Sequence, residues 1–149
     1  MKEDLAREFI GLMITLDRAT RKHYNVFRAE ANFTDKQFRT MMFLHKNGKV
    51  KLKEMSKRIN LSNSSLCIML NKMVEDGYAA RELDEKDRRN MYYFLTEVGE
   101  ETFSKEFAMR MNIMNGVFET RLTEEEKHKF LESIYNMKSV FEKLNALEN

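Results

Sequence analysis

The sequence predicts a mainly α-helical chain of the α+β class, with one short β-hairpin set among long helices. Three observations carry this expectation. Proline is absent, and only five glycines, at 11, 48, 77, 99 and 116, interrupt 149 residues, so helices continue by default. Two short amphipathic segments between residues 50 and 77 are joined by about four residues, the spacing of a tight helix-to-helix turn. After Gly77 the helical pattern gives way to "YAARELD" and "NMYYFL", two β-prone runs around a charged segment.

The elements follow in order. Leu5, Phe9, Leu12, Met13, Leu16 and Ala19 recur at three- and four-residue spacing, the stripe of an amphipathic helix of about six turns. In "NFTDKQF", Thr34 can accept from free helix N–H groups and Gln37 can reach back, a capping box. Phe38, Met41, Met42 and Leu44 are the expected buried face before a stop at Asn47-Gly48. Leu52, Met55, Ser56 and Ile59 form the apolar side of a short helix. Asn60 then suits a left-handed turn residue, and Ser62 suits the N-cap of the next helix. That helix carries Leu66, Met69, Leu70 and Met73 on one face and stops near Gly77, a natural left-handed C-terminal residue. The two helices form a helix-turn-helix.

The alternating charges of Asp84 to Arg89 become the tip of a hairpin, a wing on the helix-turn-helix. Thr96 caps a further helix with Phe103, Phe107, Met114, Val117 and Phe118 as apolar positions. Thr123 and Glu126 repeat the capping signal. The last helix holds Phe130, Ile134, Met137, Phe141 and Leu144 at spacings of four and three, a seam suited to another helix.

Composition narrows the class. At 149 residues, 42% hydrophobic and 34% charged, the chain reads as one domain, too apolar for disorder and too charged for a membrane protein. The N-terminus "MKEDLAREFIGLMITLDR" intersperses acids and arginines and does not read as a signal peptide. The single cysteine, Cys67, cannot make an internal disulfide, which fits a reducing, cytoplasmic setting. Net charge is +2, but residues 49–93 hold ten Lys and Arg against seven Asp and Glu. This positive excess points to a polyanionic partner.

A winged helix-turn-helix reads double-stranded DNA with its second helix in the major groove and its wing on the backbone or minor groove. With Leu66, Met69, Leu70 and Met73 facing inward, Ser62, Asn63, Ser64, Ser65, Cys67, Ile68, Asn71 and Lys72 lie on or near the DNA face. Ser64, Ser65 and Cys67, near the N-terminal end, are placed for base edges, and Asn71 and Lys72 for phosphates. Lys86, Arg88 and Arg89 supply positive charge at the wing tip. A solvated helix face and hairpin use the same residue types, so it is their order and combination that argue for DNA. Cys67 also suggests a redox sensor, but only the helix N-terminus and Lys72 favour a thiolate there, and a packing role is the ordinary one. His23, His45 and His128 are too scattered for a metal site. No nucleophile–base pair, phosphate loop or cofactor motif supports an enzyme, so neither catalytic residue nor cofactor is assigned.

The segments "FTDKQF", "LKEMSKRINLSNSSLCIMLNKMVEDGY" and "DEKDRRNMYYFLTEVG" resemble the MarR-type (multiple antibiotic resistance) winged-helix regulators. The last is similar to the family's wing signature: Asp, a two-residue gap, Asp-Arg-Arg, a short strand, then Leu-Thr-x-x-Gly. The resemblance implies a DNA-binding lobe over residues 29–96, with a two-stranded wing, and dimerisation helices in 1–28 and 97–149. It further implies a homodimeric repressor on a pseudo-palindromic operator, released by a small aromatic or phenolic ligand, with no membrane partner. Three positions depart from the pattern: Asn60 for a common glycine, Glu85 for a common wing proline, and Ile68 for a groove-reading arginine. An exposed isoleucine can instead touch a thymine methyl. The competing expectation is a dimeric winged-helix module that binds protein without specific DNA binding.

Overall fold

In a computed structural model, the backbone is described for residues 2–146, and side chains for 4–22, 29 and 31–146. The His23 side chain and parts of the expected dimerisation stretch 1–28 lie outside the described residues. Among the described residues, six helices and three strands run in the order α1 (Lys2–Glu30), α2 (Asp35–Asn47), β1 (Val50–Lys51), α3 (Leu52–Ile59), α4 (Asn63–Glu75), β2 (Ala79–Leu83), β3 (Met91–Leu95), α5 (Glu97–Arg121) and α6 (Glu124–Ala146). They form two compact units, Met1–Ala108 and Met109–Asn149, and α5 belongs to both.

The expected local signals operate as written. Thr34 accepts from the Gln37 amide while the Gln37 side chain takes the Thr34 N–H, a complete capping box at α2. Asn60 adopts φ 53°, ψ 49° and closes α3. The Ser62 hydroxyl accepts from the Ser65 N–H to open α4, and Gly77 ends that turn at φ 81°. Left-handed φ is cheap for glycine and tolerable for asparagine, which is why these two residues stand there.

The wing hairpin forms, with β2 paired to β3, and a short strand that the sequence did not announce joins it: Val50 and Lys51 pair with Tyr93 and Tyr92, giving a three-stranded antiparallel sheet of order β1-β3-β2. One expectation needs correction. In α2, Met42 is 41% exposed, and Thr40 occupies the interior at 0%. The Thr40 hydroxyl donates to the Lys36 carbonyl 2.8 Å away, so a polar side chain is satisfied inside without an external partner.

Met41, Met55, Leu66, Leu70 and Met73, each at most 1% exposed, form the centre of the winged lobe's core. The sheet closes it from one side with Val50, Ala79 and Tyr93. The alternation of the sheet therefore leaves Lys51, Tyr92 and Glu82 on the opposite face.

The end of α4 is fastened to the start of α5. The Thr96 hydroxyl donates to the Gly77 carbonyl at 2.6 Å and its N–H to the Tyr78 carbonyl at 3.1 Å. The same hydroxyl accepts from the Gly99 N–H at 3.0 Å. A Cβ on Gly99 would stand 1.9 Å from the Tyr78 carbonyl oxygen, so glycine is obligatory at this joint.

Helices α1 and α6 expose much apolar surface. Along α1, Leu5 is 74% exposed and Met13 50%, and α6 contains no buried residue among those described. Within the second unit, Thr123 and Glu126 form the anticipated capping box, and Phe118 meets Phe130 edge-on at 5.7 Å. An open cavity of about 300 Å³ beside that ring pair is lined by Leu122, Leu131 and Ile134. No helix among the described residues is long and apolar enough to cross a membrane.

Candidate nucleic-acid interface

Helix α4 separates its sides by residue type. Leu66, Leu70 and Met73 are buried, whereas Ser62, Asn63, Ser64, Ser65, Ile68 and Lys72 are exposed. The Ser62 hydroxyl lies 3.3 Å from that of Ser64 and 2.9 Å from that of Ser65 at the helix start. The Ser62 oxygen is thus committed to capping, while Ser64 and Ser65 stand outward in the first turn. Lys72 pairs with Asp76 one turn on, at 2.8 Å, and this carboxylate raises the pKa of the ammonium. The pair is exposed, so it holds Lys72 only loosely.

Cys67 and Asn71 occupy a different position from their exposed neighbours. Both are half-buried at the edge of the helix that faces the sheet. The Asn71 amide donates to the Cys67 sulfur at 3.6 Å, and its carbonyl accepts from the Arg81 guanidinium at 2.8 Å. Behind them the Tyr93 hydroxyl lies against Cys67 and Arg81, and burial raises its pKa. Arg81, on β2, thereby ties α4 to the wing strands. The sequence reading missed Arg81 and Tyr93. Their signal was available only as the outward-or-inward alternation of strands whose register was not yet known.

The wing tip is a self-capped turn. The Asp84 carboxylate accepts from the Lys86 N–H at 3.0 Å, and the Asp87 carboxylate from the Arg89 N–H at 3.1 Å. Asn90 completes the loop by donating its N–H to the Asp87 carbonyl and accepting from the Asp84 N–H. Short polar side chains stabilise turns in this way by standing in for backbone acceptors. The Lys51 ammonium holds the other Asp84 oxygen at 2.9 Å, and together with the Lys86 amide it lowers the Asp84 pKa. Asp84 and Asp87 are thus engaged within the loop, whereas Glu85 is exposed beside the wing cations. Arg89 keeps only a loose 3.8 Å approach to Asp87 and is 95% exposed. Lys86 and Arg88 are exposed and have no ion pair among the described residues. Of the cations at the wing base, Lys49 and Lys51 are engaged by Glu82 and Asp84 and lie over the Phe94 and Tyr92 rings.

Among the described residues no group of three or more His, Cys, Asp or Glu is placed to hold a metal ion. His45 instead bonds Glu100 at 2.6 Å and lies against the Phe103 ring.

Comparison with known proteins places this geometry. The sequence profile of the MarR family matches residues 31–90. YwhA of Bacillus subtilis, described as an uncharacterized HTH-type transcriptional regulator, is 31% identical over 91 residues, 61% of this chain and 65% of that protein. That match spans slightly less than two thirds of the relative. SarZ of Staphylococcus aureus, an HTH-type transcriptional regulator, is 24% identical over 135 residues, 91% of this chain and 89% of its own length. A mutant of MarR from E. coli, solved with operator DNA, shares the fold with a TM-score of 0.66 at 19% identity, over 87% of this chain and 90% of that one.

Proposed function

Because residues 31–90 of this chain belong to the MarR family, we propose that the protein is a transcription regulator that binds duplex DNA as a homodimer. The observation that carries the reading is the pairing of an uncovered polar face on α4 with a wing in which Asp84 and Asp87 are engaged by the turn itself while Lys86, Arg88 and Arg89 are exposed. A helix of this kind lies in the major groove, and a cationic hairpin follows the neighbouring backbone into the minor groove. Ser64, Ser65 and Ile68 then face base edges. Lys72, Lys86, Arg88 and Arg89 meet phosphates, and Ser62 and Asn63 bring the positive end of the helix dipole to the backbone. Cys67 and Asn71 act one layer back, through Arg81, by setting how α4 sits on the sheet.

The exposed apolar residues of α1 and α6, such as Leu5, Ile10, Leu131 and Val140, support dimerisation through residues 1–28 and 97–149, since exposed apolar area of that extent is normally covered. A two-fold dimer requires a pseudo-palindromic operator with half-sites a whole number of helical turns apart. Occupation of such a site represses, and a small aromatic or phenolic ligand releases it, as the family resemblance implies.

The test combines sedimentation with duplex binding by fluorescence anisotropy across a salt series. The expected result is a species of twice the 17.8 kDa chain mass. Its log affinity should fall steeply and linearly with log salt, by about one unit of slope per phosphate contact. A monomer at micromolar concentration would refute the dimer. A dimer with weak, salt-insensitive DNA affinity would replace this reading with a protein-interaction module.

A further inference from the structure

We propose that Ile68 reads the 5-methyl group of thymine, so that each operator half-site carries a thymine at the step opposite this residue. The inference rests on the DNA-binding reading above and concerns the base that the site selects. Ile68 is 72% exposed in the middle turn of α4, on a helix whose apolar residues are otherwise buried or packed on the core. At 100° per residue, the direction opposite the buried Leu66–Leu70–Met73 stripe passes within roughly 15° of Ile68. Ile68 therefore stands at the outermost point of the face offered to the groove. Ser64 and Lys72 lie one turn before and after it on the same line.

The other candidates for base recognition at that height are already engaged. Asn71, whose carboxamide suits adenine, accepts from Arg81 and donates to Cys67. Lys72 is drawn toward Asp76. What remains at the apex is a branched aliphatic side chain with no hydrogen-bonding capacity. In the major groove the only apolar feature is the thymine methyl, and every other base edge there offers a donor or acceptor that isoleucine would leave dry. Contact between the two removes apolar surface of both from water.

The experiment begins by selecting bound duplexes from a random pool with the full-length protein. Each dT of the enriched operator is then replaced by dU, which removes the methyl and nothing else. The expected result is one sensitive position per half-site, where the exchange weakens the parent protein about fourfold, the value of one buried methyl-sized group. Ile68→Ala should bind the dT and dU operators equally. As Ile68 lies outside the core, its thermal melt should match the parent. An operator with no methyl-sensitive position, or an equal dU penalty in Ile68→Ala, overturns the inference while leaving DNA binding intact. A pool that yields no enriched sequence overturns the reading on which it rests.

Discussion

Gly99→Ala should destabilise the protein more than any other single methyl addition at its glycines with helical φ. The added Cβ meets the Tyr78 carbonyl oxygen at 1.9 Å and its carbon at 2.9 Å, both backbone atoms that no rotamer change can move. Relief to an ordinary contact needs a displacement of about 1.5 Å, since carbon contacts are comfortable only near 3.5 Å. Movement on that scale breaks the 3.1 Å bond from the Thr96 N–H to Tyr78 and the 2.6 Å bond from its hydroxyl to Gly77. Overpacking costs about 1–3 kcal/mol, and polar groups left unpaired cost about 1–3 kcal/mol more. The helix preference for alanine offsets about 1 kcal/mol of this. The net loss is about 1–5 kcal/mol, or a fall of ~0.5–2.5 M in the urea midpoint for a slope near 2 kcal/mol/M. Midpoints must be compared at one protein concentration, because any self-association couples to unfolding. Gly116→Ala is the control: its Cβ meets nothing within 4 Å, so stability should hold or rise by up to ~1 kcal/mol. Equal midpoints for Gly99→Ala and the parent would refute the clash argument.

Three other outcomes follow from the lobe. Arg88→Ala and Arg89→Ala should weaken binding to all duplexes alike and flatten the salt slope by about one unit per lost phosphate contact. Arg88 should lose at least as much, because Arg89 is partly held by Asp87; unchanged affinity in the double variant would remove the wing from the interface. Arg81→Ala and Asn71→Ala should be non-additive in a double-mutant cycle of urea midpoints, with a coupling of about 1 kcal/mol; strict additivity would deny the tie between α4 and β2. The Asp84 pKa is lowered, first by Lys51 and then by the Lys86 amide. Its contribution to wing order is therefore present above the ordinary carboxylate value of 3.8 and lost as pH falls through the depressed one. The Lys86 amide resonance should titrate below pH 3.8, move toward that value in Lys51→Ala, and lose the transition in Asp84→Asn. A midpoint at or above the ordinary value would show that Lys51 does not hold this carboxylate.

Helix boundaries were legible in the sequence wherever one short window contained both partners of the decisive interaction. Thr34 with Gln37, Ser62 with Ser65, and Thr123 with Glu126 each close within four residues, and Asn60 and Gly77 need only their own backbone angles. The signals that failed depend on distance along the chain. Two residues, Val50 and Lys51, become a strand only because Tyr92 and Tyr93 arrive some forty positions later. Helical spacing assigned Met42 to the interior, yet Thr40 is buried because its hydroxyl bonds back to Lys36. At the candidate site, residue types and order identified α4 and the wing. They did not separate the half-buried Cys67 and Asn71 from Ser65 and Ile68, because that division depends on Arg81 and Tyr93 across the sheet.

The fastening of α5 to the end of α4 has a mechanical consequence. Thr96 bonds the carbonyls that follow α4, and Gly99 leaves no slack beneath them. Within the first unit, the opening turn of α5 therefore cannot shift without carrying the turn that ends α4 with it. Two hydrogen bonds and one close backbone approach couple them, so a displacement at Thr96 is handed to the foot of α4 undiminished.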